Sequence, residues 1–486
     1  MAERNSMATH NYDLIVLGSG PAGEKGAAQA AYFGKKIALV ERDYYLGGAA
    51  ASTTVPSKTL RETALALSGI RARRLYGVDL SLKHRPTVQD FLYHEREVKD
   101  TECTRVTNNM LFHGVDIFKG TGSFVDERVI KVEARGKASG FLKGDITLIA
   151  TGSSPRRPDN FPEDHRIYDS DSILGMKSMP KSMVVVGGGV IGCEYACIFA
   201  QLGVDVSLIH NKNILLPSMD RDISSALENS MLKMGINLLM QESVESCTPE
   251  AKGLVIRLGS GEVSKTGAMM LATGRISNTG ELNLGAAGIT PGRRGLLAVD
   301  GNYQVVHPET RKPVPGIYAA GDVIGPPALA STSMEQARFA IIKAFNLYPY
   351  KEHVAPILPL GLYTIPECSA AGKTEEECQQ EKIDYVVGKA TYSQNVRGMI
   401  IGDYDGFLKL IFEFNDDLRR PMKLLGVHVI GESASELIHV GLNALMMDAA
   451  SDMFINTCFN YPTLTELYKY ATYHAMGNRE RRLKSK

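Results

Sequence analysis

At 486 residues the chain has room for roughly two to four domains, each with its own core. Lys plus Arg and Asp plus Glu number 54 each, so no net charge directs it to nucleic acid or to an anionic membrane. Seven scattered cysteines, an odd number, suit the reduced thiols of a cytoplasmic protein and argue against a disulfide scaffold.

No basic and apolar targeting signal opens the chain, and residues 1–10 read as a loose polar arm. Leu14 to Leu17 is a short apolar run, the pattern of a buried strand. Gly18, Gly20 and Gly23 then spell G-x-G-x-x-G. A small-residue helix follows, then a second apolar run from Ile37 to Val40, closed by Glu41. Each part has a physical task in dinucleotide binding. The first glycine permits a tight turn, the second lets backbone approach a pyrophosphate, and the third lets the helix pack on the strand. The helix N-terminus offers N–H groups and a positive dipole end to phosphates. A carboxylate at Glu41 accepts hydrogen bonds from an adenosine ribose.

Beyond Glu41 lies the turn-rich DYYLGGAAASTTVPSK, then a helical run from about Lys58. Leu75 to Asp100 is charged and reads as helices with loops. Ser123 to Glu133 alternates like one strand, and Ile146 to Pro155 reads as a strand ending in a small-residue turn. Met183 to Ala200 is the most apolar stretch, yet it carries three patterned glycines and Glu194. That fits a buried strand and helix start, not a membrane span. Val184 to Asn211 repeats the opening unit with Gly187, Gly189 and Gly192, and the spacing from Gly187 to His210 equals that from Gly18 to Glu41. Two complete units imply two nucleotide sites, because each has its own phosphate turn. The second unit lacks the closing acid. His210, Asn211 and Lys212 tolerate a plain ribose or a 2′-phosphate, so NADP(H) is expected as well as NAD(H). Cys193 and Cys197 are four apart on the predicted helix with no histidine cluster beside them, so they read as core and no metal site is expected.

Met269 to Arg275, MMLATGR, echoes the earlier LIATGS, and Gly316 to Asp322 is an apolar strand ending in a carboxylate. From Pro356 the texture changes to alternating and amphipathic segments such as FLKLIFEF, an α+β module that packs or dimerises. The fold class is therefore α/β: two Rossmann-like nucleotide-binding domains and a C-terminal α+β module.

With these pieces placed, the chain resembles the flavoprotein pyridine nucleotide-disulfide oxidoreductases over nearly its whole length. The residues that carry the resemblance are GSGPAGEKGA at Gly18–Ala27, PSK at Pro56–Lys58, ATGS at Ala150–Ser153, GGGVIGCEYA at Gly187–Ala196, ATGR at Ala272–Arg275, GIYAAGDV at Gly316–Val323 and YTIPECSAAGKTEEE at Tyr363–Glu377. The resemblance implies FAD on the first unit, NAD(P)H on the second and a homodimer or larger homo-oligomer formed through the last module, a dimerisation domain. The division it implies is 1–163 and 282–354 for the FAD domain, 164–281 for the NAD(P) domain and 355–486 for the dimerisation domain. It implies further cofactor contacts from Gly48, Thr54, Thr151, Gly152 and Gly274, with Asp322 near the ribityl and phosphate region. It also implies that Lys58 lies near flavin N5 and pairs with Glu194, favouring negative charge there.

The chain departs from that family in its redox chemistry. The disulfide reductases carry Cys-x4-Cys just before PSK, where Ala49 and Thr54 stand here, so no redox disulfide forms at those positions. Their His-Pro-Thr motif is replaced by FNYPTLTE, with Tyr461 at the histidine position and Glu466 retained. A phenol is a poor base for a thiol. Tyr461 and Glu466 would reach the flavin of a second subunit. One branch of the family fits the loss, the soluble pyridine nucleotide transhydrogenases, which the chain resembles in TxPSK, YDSDSIL, GDVIGPPALAS and FNYPT. That branch keeps a cysteine at the position of Ala49. Hydride exchange between two nicotinamides through flavin N5 needs only the flavin. The alternatives are an NAD(P)H dehydrogenase or oxidase that passes electrons to a quinone, dye or oxygen, and a non-catalytic FAD-binding dimer.

Overall fold

The computed structural model describes residues 9–68, 87–134, 140–348, 351 and 353–485. They gather into two compact units. One comprises the described residues of Met1–Pro56, Glu95–Arg156 and Arg275–Val354, the other those of Ser57–His94, Arg157–Gly274 and Ala355–Lys486.

The first unit is built on the strand Thr9–Leu17, which pairs in parallel with Ile37–Glu41 on one side and Gly140–Ile149 on the other. Leu14 stands opposite Ile37, and Leu17 stands opposite both Val40 and Ile149. Leu14, Ile15 and Val16 are fully buried, as a central strand covered on both faces requires. The strand begins earlier than expected. Thr9 and His10, read as part of a loose arm, pair with Phe141 and Leu142, because the long strand Gly140–Ile149 supplies partners that far; residues 1–8 of that arm lie outside the described residues. The sheet continues through Asp116–Lys119 at one edge and through Pro313–Ala319 and Gln304–Val306 at the other.

On this sheet lies the helix Pro21–Tyr32, with Pro at its first position, where the missing N–H costs nothing. Its buried residues are Ala22, Gly23, Gly26, Ala27 and Ala30, together with Glu24. Small residues let it pack closely against the helix Ala330–Ala344, where a Cβ on Gly26 would lie 3.5 Å from that of Ala337. Ser123 to Glu133 is a hairpin, not one strand: Thr121–Phe124 and Val129–Glu133 turn back at Asp126, whose Oδ1 accepts the N–H groups of Arg128 and Val129. A carboxylate binding backbone ahead of it is the usual cause of such a turn. The strand Gly140–Ile149 likewise stops before Gly152, and Ser153–Pro155 pairs separately with Arg275–Ser277. The helix expected from Lys58 starts at Val55, immediately after a π-helical turn Ala50–Thr54. Of the charged stretch 75–100, residues 75–86 lie outside the described residues, and the remainder opens the long helix Val88–Phe112.

The second unit contains a parallel sheet ordered Asn237–Met240, Asp205–His210, Ser182–Val186, Ala268–Leu271 and Ile167–Tyr168. The apolar stretch 183–200 resolves into the strand Ser182–Val186, a glycine turn and the helix Val190–Gln201. Cys193 and Cys197 are wholly buried on that helix, and burial pushes the Cys197 thiol up to about 12, which keeps it inert. Among the described residues no helix is long and apolar enough to cross a membrane. The same unit holds an antiparallel sheet ordered Leu360–Leu362, Cys368–Gly372, Leu424–Ile430, Phe407–Glu413 and Tyr385–Thr391. Helices Ala434–Met446 and Leu467–Lys484 join its apolar core through Leu437, Ile438, Leu467 and Tyr468. Lys409, in the middle of FLKLIFE, is 1% exposed, and its ammonium donates to Asp220 at 2.7 Å and Asp222 at 2.6 Å and pairs with Glu375. Burial alone would lower its pKa, but these carboxylates raise it instead.

Candidate functional site

The first glycine turn joins the strand Thr9–Leu17 to the helix Pro21–Tyr32. Gly18 has φ +96°, and a Cβ there would lie 2.5 Å from the Ala150 carbonyl oxygen. A Cβ on Gly23 would lie 1.9 Å from the Gly18 oxygen, so only glycine lets the helix begin this close to the strand. Gly20 caps the helix without any side-chain acceptor, which leaves first-turn N–H groups for ligand oxygens.

Glu41 is 6% exposed at the end of the neighbouring strand. Its Oε2 accepts the Ser19 N–H at 2.9 Å and the Ser19 hydroxyl at 2.6 Å, while Oε1 accepts the Asp43 N–H at 2.8 Å. Ser19 Oγ accepts the Gly47 N–H at 3.0 Å, which draws Gly47 and Gly48 against the turn. A Cβ on Gly48 would lie 2.9 Å from Gly20 Cα. Thr151 and Gly152 follow the strand Gly140–Ile149, and Thr151 Oγ1 is buried without a hydrogen-bond partner. Asp322 comes from the turn after Pro313–Ala319. Its Oδ2 accepts from Ser153 Oγ at 2.7 Å, and Arg275 Nε donates to that same Oγ at 2.7 Å. An uncapped helix end, an orphaned buried hydroxyl and a glycine cradle that a Cβ would fill suit a bound dinucleotide.

The second turn, between Ser182–Val186 and Val190–Gln201, has the same backbone. Gly187 has φ +116°, with a would-be Cβ 2.4 Å from the Ala272 oxygen, and a Cβ on Gly192 would lie 1.8 Å from the Gly187 oxygen. Gly189 caps its helix without a side-chain acceptor. His210 ends the adjoining strand, and its ring is turned back onto the turn, with Nδ1 accepting the Gly188 N–H at 3.1 Å. Burial first, and then the charge of Lys212, hold this imidazole below its ordinary pKa. Asn211 and Lys212 are exposed at the strand tip, and Gly274 is exposed just past the strand Ala268–Leu271.

Lys58 and Glu194, far apart in sequence, are brought together in the second unit. Lys58 Nζ donates to both Glu194 oxygens at 2.9 Å. The remaining capacity of this carboxylate is met by Ser57 Oγ at 3.2 Å and the Tyr363 N–H at 3.0 Å. The Lys58 ammonium also sits 5.0 Å from the centre of the Tyr363 ring, a cation–π distance. One turn along, Arg61 Nε donates to the Thr364 carbonyl at 2.9 Å and fixes the YTIPE segment. Thr54 is exposed at the end of the π-helical turn, and all seven cysteines are free thiols. Tyr461 is 70% exposed, and Glu466 is half-buried in the turn Leu464–Glu466. Ser19, Ser153, Arg275 and Tyr363 were not singled out from sequence. All four lie within quoted motifs, but spacing alone does not say which side chain steadies which.

Residues 12–337 match the family model described as pyridine nucleotide-disulphide oxidoreductase, and residues 358–472 match the dimerisation domain of the same family. The chain is 40% identical over 469 residues to a soluble pyridine nucleotide transhydrogenase of Mycobacterium bovis, covering 96% of this chain and 97% of that protein. It is 37% identical over 471 residues to one of the same name from Marinomonas, covering 96% and 98%. Among solved structures, LpdA of Mycobacterium tuberculosis superposes with a TM-score of 0.84 at 25% identity, over 96% of this chain and 99% of that one. The HOCl-induced flavoprotein disulfide reductase RclA of Escherichia coli superposes with a TM-score of 0.83 at 22% identity, over 95% and 99%, a likeness of fold. Two glycine turns of one design, followed by a dimerisation module, thus have their counterpart along the whole length of known proteins, and the chain belongs to the pyridine nucleotide-disulphide oxidoreductase family.

Proposed function

We propose that the protein is an FAD-dependent NAD(P) transhydrogenase, moving hydride between NADPH/NADP⁺ and NADH/NAD⁺. The observation that carries this reading is the presence of two complete phosphate turns in a chain with Ala49 and Thr54 where a dithiol reductase has its cysteines. Relatives at 37–40% identity over nearly the whole length bear the same name. Bound FAD supplies a two-electron carrier that takes hydride from one nicotinamide and returns it to another.

The chain supplies position and charge. The N–H groups that open the helix Pro21–Tyr32 would hold a pyrophosphate, and Glu41 would accept from the adenosine ribose. Asp322, oriented by Ser153 and Arg275, would hold the polyol and phosphate portion of FAD. The second turn binds the nicotinamide nucleotides one after the other. Lys58, fixed by Glu194 and Tyr363, would supply a positive charge to stabilise negative charge on a bound flavin. Tyr461 and Glu466 belong to the module through which the chain forms a homodimer or larger homo-oligomer. Free, mostly buried thiols suit work in the cytoplasm.

Anaerobic titration tests the reading. One equivalent of NADPH is expected to bleach the main flavin absorbance with no thiolate-to-flavin band, because positions 49 and 54 carry no sulfur. Added NAD⁺ should restore the yellow colour and yield NADH, while lipoamide and oxidised glutathione should not. Initial rates should give parallel double-reciprocal lines, since both nucleotides use one turn in succession. Reoxidation by quinone or oxygen but not by NAD⁺ would assign the protein to the dehydrogenases or oxidases instead.

A further inference from the structure

We propose that His210 is a positioning residue: a neutral imidazole that orders the second phosphate turn from within, leaving the choice between NADH and NADPH to Lys212. The inference rests on the second turn binding nicotinamide nucleotides, as proposed above.

The geometry is specific. A nitrogen that accepts an N–H carries no proton, so the 3.1 Å bond from Gly188 to Nδ1 fixes the tautomer with hydrogen on Nε2. Nε2 is itself sealed from solvent. Neither ring nitrogen is then presented to a ribose or a 2′-phosphate. The ring lies where a side chain at position 188 would go, since a Cβ on Gly188 would stand 2.7 Å from the imidazole Cγ and Cδ2. The glycine thus admits the ring, and the ring ties down the glycine's N–H. The charged groups facing the imidazole are Lys212, beyond it at the strand tip, and Glu228 of the helix Arg221–Lys233. Glu228 is itself engaged, with Oε1 accepting the Leu215 N–H at 2.9 Å. Lys212 is exposed and is the charged side chain nearest in sequence to the position where a closing acid would discriminate against a 2′-phosphate. Protonating His210 places a hydrogen on Nδ1 and breaks the bond to Gly188, so burial and Lys212, which disfavour that proton, also protect the turn.

Dissociation constants of NADH and NADPH for the flavin-loaded enzyme and its variants test this. Loss of one turn-ordering hydrogen bond in His210→Ala should weaken both nucleotides by the same factor, about five- to tenfold. His210→Gln keeps a neutral acceptor and should restore both. Lys212→Ala should weaken NADPH alone. Wild-type affinity for NADH, which has no 2′-phosphate to titrate, should fall as the pH drops below the usual imidazole range, and His210→Gln should flatten that profile. If His210→Ala weakened NADPH only, or Gln failed to restore binding, the ring would be a direct ligand or mere filler, and the proposal would be overturned. Failure of the wild-type enzyme to bind either nucleotide would instead overturn the assignment of the second turn.

Discussion

The two glycine turns coincide bond for bond until their second residue. Gly18 N–H donates to the Val40 oxygen and Gly187 N–H to the Ile209 oxygen, each at 2.8 Å. Ala150 and Ala272 donate to Leu17 and Val186, each at 2.9 Å. Then Ser19 meets Glu41, and Gly188 meets His210. Both closing residues accept the N–H of the second turn residue, so the backbone need is the same. The means differ. In the first turn a serine fills the space and a carboxylate brings charge to the ribose end; in the second a glycine leaves space and an imidazole enters it without charge. A phosphate turn therefore requires an acceptor at the strand end; a charged acceptor commits the site to plain ribose, while a neutral one admits a 2′-phosphate and leaves the choice to the charge beyond it.

The largest effects should come from the part the turns share. Gly23→Ala and Gly192→Ala each drive a methyl into a carbonyl oxygen of the preceding turn. Forcing backbone apart costs about 3 kcal/mol, or roughly 100-fold in affinity. The Gly23 variant should purify without flavin. The Gly192 variant should remain yellow yet resist bleaching by NADPH. If both lost flavin equally, the turns would not serve separate ligands, and absorbance of the purified proteins decides this.

A smaller effect is expected where the turns part. Glu41→Gln keeps an acceptor for the Ser19 N–H but removes the charge that strengthens its bonds to Ser19 and to a ribose. FAD affinity should fall about tenfold, the value of one charge-assisted hydrogen bond, measured by fluorescence recovery on adding FAD to apoprotein. Nucleotide affinity at the second turn should not change. An unchanged FAD affinity would mean that Glu41 only braces the turn, as His210 does.

Much of this was legible in the chain. Strand, glycines, helix and closing residue recur at one spacing, and parallel sheets buried on both faces announce themselves as unbroken apolar runs such as Leu14–Leu17 and Met183–Val186. Side-chain direction was not legible. Nothing in the order of residues says that His210 points inward, because that depends on the empty space above Gly188. The alternation of FLKLIFE gives no sign that Lys409 is 1% exposed, because its partners Asp220 and Asp222 lie almost two hundred residues earlier. The pairing of Lys58 with Glu194 came from family resemblance, while the part played by Tyr363 needed the fold, since its contacts are a backbone N–H and a ring face. The hairpin at 121–133 was misread as one strand because Asp126 interrupts a continuous alternation with a turn of its own making.

The finest test converts one turn into the other. Gly188→Ser alone places a Cβ 2.7 Å from the His210 ring and 2.5 Å from Leu215 Cδ2. Leu215 can rotate, but the ring must leave, so the Gly188 N–H loses its acceptor and NADH should bind about tenfold more weakly. Adding His210→Glu should reverse much of that loss, because a carboxylate can then accept both the N–H and the new hydroxyl, as Glu41 accepts both from Ser19 at 2.9 and 2.6 Å. His210→Glu by itself should leave NADH binding nearly unchanged and weaken NADPH, through repulsion of the 2′-phosphate. The prediction is thus a coupling of about 1 kcal/mol between positions 188 and 210, favourable for NADH, read from a double-mutant cycle of dissociation constants. Additive losses would mean that the space above Gly188 and the acceptor at position 210 are independent, and that the likeness of the two turns ends at their backbones.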